Sequence, residues 1–156
     1  MAESIETHTS AENDLTAFVT FTAADHYFGI PVNHVQDILT PDTIARVPLG
    51  PVEVRGLINL RGRIVTVIDV RTRLSLGTST ATGPGKCVTV ESDGEFYTLL
   101  VDRVGDVVSL SERAREPNPA TLDPQWCELA SGVFRTDDKL LIALDVERLL
   151  NIRGKA

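Results

Sequence analysis

The sequence predicts an all-β protein: two small five-stranded barrels packed together, with a few short helical turns. Three observations carry this. Short runs rich in Val, Ile, Thr and aromatic residues follow one another along most of the chain, bounded by turn-forming breaks. Helical periodicity is scarce. The two sides of Gly77-Thr78-Ser79-Thr80-Ala81-Thr82-Gly83-Pro84-Gly85, which forms neither strand nor helix, resemble each other. Closing each short sheet into a barrel removes its open edges, and two barrels sharing a core bury more than either alone.

Ala17 to Thr22 alternates loosely as a strand does. After the break Ala23-Ala24-Asp25-His26, Tyr27 to Val32 follows as the second arm of a hairpin, and Pro31 marks an edge or an end. Val35 to Leu39 is a third piece. Val54 to Leu60 and Ile64 to Val70 flank Arg61-Gly62-Arg63, a hairpin tip that suits Gly at positive φ. Cys87 to Glu91 and Glu95 to Val101 flank Ser92-Asp93-Gly94, a strong turn signal. Val104 to Leu110 and Leu140 to Leu144 complete the strands. Asp69 and Asp145 stand where each N-caps a short helix, over Val70 to Leu74 and Val146 to Leu150.

The repeat lies in the register. Val32-Asn33-His34-Val35-Gln36-Asp37-Ile38-Leu39 aligns with Val101-Asp102-Arg103-Val104-Gly105-Asp106-Val107-Val108. Gly56-Leu57-Ile58 aligns with Gly132-Val133-Phe134, and Ile64 to Leu74 with Leu140 to Leu150, so Asp69 falls on Asp145. This predicts an acidic disordered tail over 1–15, a first barrel over 16–76, a linker over 77–85, a second barrel over 86–152 and a short tail over 153–156.

Lys plus Arg is 15 and Asp plus Glu is 22, a net charge of −7 that disfavours polyanion and anionic-lipid partners, so no nucleic acid is expected. Aromatics are 5%, so Val, Ile and Leu fill the core. Cys87 and Cys127 sit in no metal spacing and make no disulfide framework, which fits a reducing compartment. The first residues carry Glu3, Glu6, Glu12 and Asp14 without a basic start or apolar run, unlike a signal peptide. No apolar run approaches a membrane span. The expectation is a cytoplasmic protein without direct membrane insertion.

No catalytic set assembles. His8, His26 and His34 form no spaced cluster, Ser109 and Ser111 lack a nucleophile elbow, and Gly83-Pro84-Gly85-Lys86 lacks phosphate-loop spacing. Asp102 and Asp106 are candidate paired carboxylates, but Arg103 stands between them. No enzyme, cofactor or metal is expected. Cys127 follows Trp126 in an expected loop, and Trp126 is expected to plug a barrel or the seam between barrels. Two features remain. Arg55, Arg61 and Arg63 punctuate a strand and its tip; Arg61 reads either as a solvated turn residue or as a guanidinium fixed for a partner carboxylate, and the repeat sets Asp137 opposite it. Val35 to Leu39 is an apolar ridge interrupted by Asp37, which reads either as core with one solvated acid or as a contact for a partner's base.

The runs Tyr27-Phe28-Gly29-Ile30-Pro31-Val32, Val35-Gln36-Asp37-Ile38, Gly56-Leu57-Ile58-Asn59-Leu60-Arg61-Gly62 and Val67-Ile68-Asp69-Val70-Arg71 resemble the CheW family, the coupling proteins of bacterial chemotaxis arrays. The likeness continues through Leu100 to Val107 and Leu144 to Leu150, over about residues 16 to 152. The resemblance implies SH3-like barrels and a non-catalytic adaptor. It implies two partners: the regulatory domain of a CheA-type histidine kinase, and the cytoplasmic tip of methyl-accepting chemotaxis receptors, held in a groove between the barrels. The protein is then recruited to membrane-associated receptor arrays. Partner-binding positions carry over to Val35, Asp37, Gly56, Asn59, Leu60, Arg61, Gly62 and Val88, with Ile38, Val101, Val104 and Val107 lining the groove. Asp37 departs from the family's usual Glu, and the charged stretch Arg135 to Asp138 is a second departure. The alternatives are a scaffold of another chemosensory pathway, such as surface motility or development, and a small-ligand-binding β-barrel.

Overall fold

Tight turns set the local geometry. Ala24 and Asp25 (φ 50° and 68°), Arg61 and Gly62 (53° and 83°), and Asp93 and Gly94 (52° and 79°) are two-residue connections with both φ positive, the twist that joins antiparallel strands. These turns belong to a computed structural model that describes residues 14–40, 44–46, 48, 50–76, 85–136 and 139–151. Its strands are β1 (Leu15–Ala23), β2 (His26–Pro31), β3 (Val35–Leu39), β4 (Val54–Leu60), β5 (Arg63–Asp69), β6 (Lys86–Ser92), β7 (Glu95–Val101), β8 (Arg103–Ser111), β9 (Ala130–Arg135) and β10 (Leu140–Leu144). Among the described residues the helices are α1 (Val70–Arg73), α2 (Pro124–Leu129) and α3 (Val146–Leu150), with 3-10 turns at Val32–His34 and Glu112–Ala114.

The matched aspartates are matched caps. The Asp69 carboxylate accepts from the Arg71 and Thr72 amides, and Asp145 accepts from the Arg148 amide. Two elements differ from expectation. Trp126 and Cys127 lie in α2 rather than in a loop, because Asp123 caps it and Pro124 opens its first turn. The strand run read from sequence also omits β9, although the match of Gly132-Val133-Phe134 to a β4 segment implies it. Residues 1–13, 41–43, 47, 49, 77–84, 137–138 and 152–156 lie outside the described set, and with them most of the linker, most of the N-terminal tail and the C-terminal tail. Leu15, expected in the tail, already pairs with Ser111 in β1.

The topology corrects the division into successive barrels. One sheet has the order β8-β1-β2-β10-β9 and the other β3-β6-β7-β5-β4. Each barrel therefore takes two strands from one half of the chain and three from the other. The repeat itself stands: β1 corresponds to β6, β2 to β7, β8 to β3, β10 to β5 and β9 to β4, with parallel pairs β2–β10 and β5–β7 in equivalent places. The physical cause is the crossovers. After β2 a single 3-10 turn carries the chain into the other sheet, and after β7 only Asp102 intervenes before β8. A hairpin pattern reads the same whether its neighbour is its own half or the other.

Closure is also matched. Ala45 bridges Leu57 of β4, and Glu116 bridges Val133 of β9. The closing chain passes so near that a Cβ on Gly56 (φ 155°) would lie 2.2 Å from the Ala45 carbonyl oxygen, and one on Gly132 (φ 145°) 3.0 Å from that of Glu116. Three apolar clusters result. Phe18, Phe134, Leu141 and Ala143 fill one barrel, and Ile58, Val65 and Val67 the other. The largest cluster lies between the sheets, with Val19, Phe21, Phe28 and Ile30 from one meeting Val88, Val90, Tyr97 and Leu99 from the other. Trp126 belongs to this seam, as expected, and its Nε1–H donates to the Leu74 carbonyl at 2.8 Å. Cys87 is buried, and that burial pushes its thiol up to about 11, so it packs as a small apolar residue.

Candidate interaction surfaces

Cross-strand partners share a face of a sheet. Ile38, Val88, Leu99 and Ile68 form one such row across β3, β6, β7 and β5; Val107, Val19 and Ile30 form its repeat mate across β8, β1 and β2. The inner members are buried in the seam. The outer ones reach solvent: Ile38 is 44% and Val107 57% exposed. Val35 and Val104, also repeat mates, pack half-buried against the same core. Two edge strands thus bring Val35, Ile38, Val104 and Val107 to the rim of one apolar seam. Val88 and Val101, expected among the partner-binding positions, are both buried in the free chain and floor the seam.

A second row runs Asp37, Thr89, Thr98, Val67 and Gly56, from one outer strand of the sheet to the other. Thr89 and Thr98 are buried and satisfy each other, with hydroxyl oxygens 3.0 Å apart. Asp37 meets Arg61: Oδ2 lies 2.7 Å from Nη2, and the Ile38 amide donates to Oδ1 at 2.9 Å. Since β3 and the β4–β5 tip lie at opposite ends of the strand order, this pair spans the closure of the barrel. In the free chain Arg61 and Asp37 pair with each other. Arg61 is 79% exposed, so the pair is worth only about 1 kcal/mol or less; Leu39, Leu60, Phe96 and Leu100, packed on the barrel core, hold the closure.

The remaining expected positions shape this tip. The Asn59 side chain accepts from the Gly62 amide at 2.8 Å, fixing the turn, and both residues are exposed. Leu60 packs inward, and Gly56 is buried where only hydrogen fits.

Sequence reasoning missed one electrostatic centre. Asp102 accepts from Arg71 Nε at 2.9 Å, from Arg71 Nη2 at 2.7 Å and from the Ala24 amide at 2.9 Å. The guanidinium, through these hydrogen bonds, holds the Asp102 carboxyl below its ordinary value, and the carboxylate raises Arg71. This clamp joins the β1–β2 turn, a crossover and α1, and it steadies Ala24 at positive φ. Asp102 thus pairs with Arg71, not with Asp106. Arg73 extends the joint by donating to the Leu149, Arg148 and Asn151 carbonyls at the end of α3. No residue pattern along the chain announces a pair 31 positions apart. Among the described residues no three His, Cys, Asp or Glu side chains gather as a metal site, and no helix is long and apolar enough to cross a membrane.

Residues 17–153 match the family model of the CheW-like domain. The chain is 28% identical over 134 residues to the chemotaxis protein CheW of Klebsiella aerogenes, covering 86% of this chain and 81% of that one. To the chemotaxis protein CheW of Helicobacter pylori it is 26% identical over 137 residues, covering 88% and 82%. The crystal structure of the scaffolding protein TtCheW from Thermoanaerobacter tengcongensis superposes with a TM-score of 0.79 at 30% identity, covering 90% of each chain.

Proposed function

The chain belongs to the CheW-like family, and from that premise we propose that it is a non-catalytic adaptor coupling methyl-accepting chemoreceptors to a CheA-type histidine kinase in bacterial chemotaxis. Relatives across bacteria carry the chemotaxis name, and the solved relative is a scaffolding protein. The observation that carries the reading is the seam rim. A helical receptor tip needs an apolar trough on a rigid body, and Ile38 and Val107 stand exposed at the rim of the buried seam. The Asp37–Arg61 end is then left for the kinase regulatory domain, where polar groups in fixed geometry select the partner. Such an adaptor works in the cytoplasm and gathers at receptor arrays.

Co-sedimentation with a receptor signalling fragment tests this. Val107→Asp places a charge at the rim without removing core, and is expected to lower receptor recovery about tenfold with melting unchanged. Undiminished recovery would place the receptor elsewhere.

A further inference from the structure

The repeat makes two crossovers between the sheets comparable, and they are built differently. Asn33, in the 3-10 turn between β2 and β3, stands where Asp102 stands between β7 and β8; Glu147 of α3 stands where Arg71 stands in α1. Asp102 and Arg71 form the clamp, with side chains only 20% and 12% exposed. Asn33 and Glu147 are exposed, and neither enters a side-chain hydrogen bond or ion pair among the described residues. An amide and a carboxylate cannot repeat a bidentate ion pair. His34 Nδ1, 3.4 Å from the Glu91 carbonyl oxygen, gives that turn a weaker tie.

The clamp sits at the root of a strand that carries half of the seam rim. Asp102 is the only residue between β7 and β8. Its amide donates to the Thr22 carbonyl at 3.1 Å, and its carboxylate takes the Ala24 amide at 2.9 Å. Both anchors belong to β1 and the turn that follows it. Arg71 belongs to α1, which continues β5 of the other sheet. The guanidinium–carboxylate pair therefore crosses from one sheet to the other. Val104 and Val107 follow Asp102 by two and five residues, in register with Phe21 and Val19. Val35 and Ile38 belong to the sheet of β5, through Val90 and Val88 of β6. The β8 rim is thus fixed against the β3 rim at this joint, and a planar fork on a carboxylate sets its angle as a point charge does not.

We infer that Arg71 and Asp102 are positioning residues for receptor binding: by fixing β8 at its root they hold Val104 and Val107 in a set relation to Val35 and Ile38. This rests on the receptor rim proposed above. Neither residue touches the receptor; a rim held in advance binds without the ordering cost that a loose β8 adds. The Asp37–Arg61 pair closes within one sheet, so loosening the joint leaves that end as it is.

Titration calorimetry with a receptor signalling fragment, and separately with a CheA-type regulatory domain, tests this for wild type, Asp102→Asn, Arg71→Lys and Val107→Asp, below the melting range of every variant. Arg71→Lys keeps the charge and removes the fork, so it separates geometry from charge. Both clamp variants are expected to lose about tenfold in receptor affinity and to keep their kinase-domain affinity. Amide NMR of free Asp102→Asn protein is expected to shift Val107, five residues from the change, while Asp37 and Arg61 stay in place. Full receptor affinity in either clamp variant, with Val107→Asp defective, would overturn this inference and leave the receptor rim standing. Equal losses for both partners would make the clamp a matter of stability alone and overturn it too. Full receptor affinity in Val107→Asp would remove the rim, and the inference with it.

Discussion

Arg61 and Asp37 each read in the sequence as charges awaiting a partner, and the fold hands them to each other. If the pair acts by holding the tip in place, its direction is immaterial. Arg61→Ala and Asp37→Lys are each expected to weaken kinase-domain binding, while the exchange Asp37→Arg with Arg61→Asp restores most of it. A double-mutant cycle measured by titration calorimetry checks this, and an exchange as defective as the single variants would mean that each charge touches the partner directly. The Asp102–Arg71 clamp has a different signature. Because the carboxyl is held below its ordinary value in the fold, its stabilisation is present above the unfolded value near 4 and is lost as pH falls through the lower folded value. Wild type is expected to exceed Asp102→Asn by about 2 kcal/mol at neutral pH. Unfolding titrations should show that lead shrink from about pH 4 downward; a constant lead would deny the ionic role.

At the scale of elements, closure depends on where a side chain has room. Gly56→Ala drives a Cβ to 2.2 Å from a backbone oxygen, whereas Gly132→Ala meets the flexible Arg115 side chain at 2.9 Å and a carbonyl at 3.0 Å. Denaturant melts are expected to show Gly56→Ala losing about 3 kcal/mol and Gly132→Ala about half of that; equal losses would mean the closing bridges are not what excludes the side chain. Most strands were legible because turn chemistry and alternation are local: β3, β4, β7 and β10 begin and end where their residues change character. Helix α2 was not, since one turn with Trp126 and Leu129 inward carries too little periodicity to separate from a loop. The signal that finds it is the Asp123-Pro124 start.

For the whole molecule, the repeat was legible and its assembly was not. Local patterns define which strands correspond, but strand exchange is decided by the two short crossovers and by burial of a shared seam, neither of which has a period in the sequence. The same limit governed the surfaces. Ile38, Val104 and Val107, expected to line the groove, lie at one rim with Val35, expected as a partner-binding position, while Val101 of the expected groove set and Val88 turn inward because the pleat puts them there. In the proposed function one rigid body carries two separate surfaces, and coupling is then simultaneous binding at raised effective concentration. The most direct test is co-sedimentation of this protein with a receptor signalling fragment and a CheA-type kinase, pairwise and all three together, for wild type, Val107→Asp and Arg61→Ala. Wild type is expected to bring the kinase down with the receptor, Val107→Asp to keep the kinase pair while losing the receptor, and Arg61→Ala to do the reverse. Loss of both pairs in either variant, or kinase recovery with receptor that does not depend on this protein, would contradict the proposed coupling.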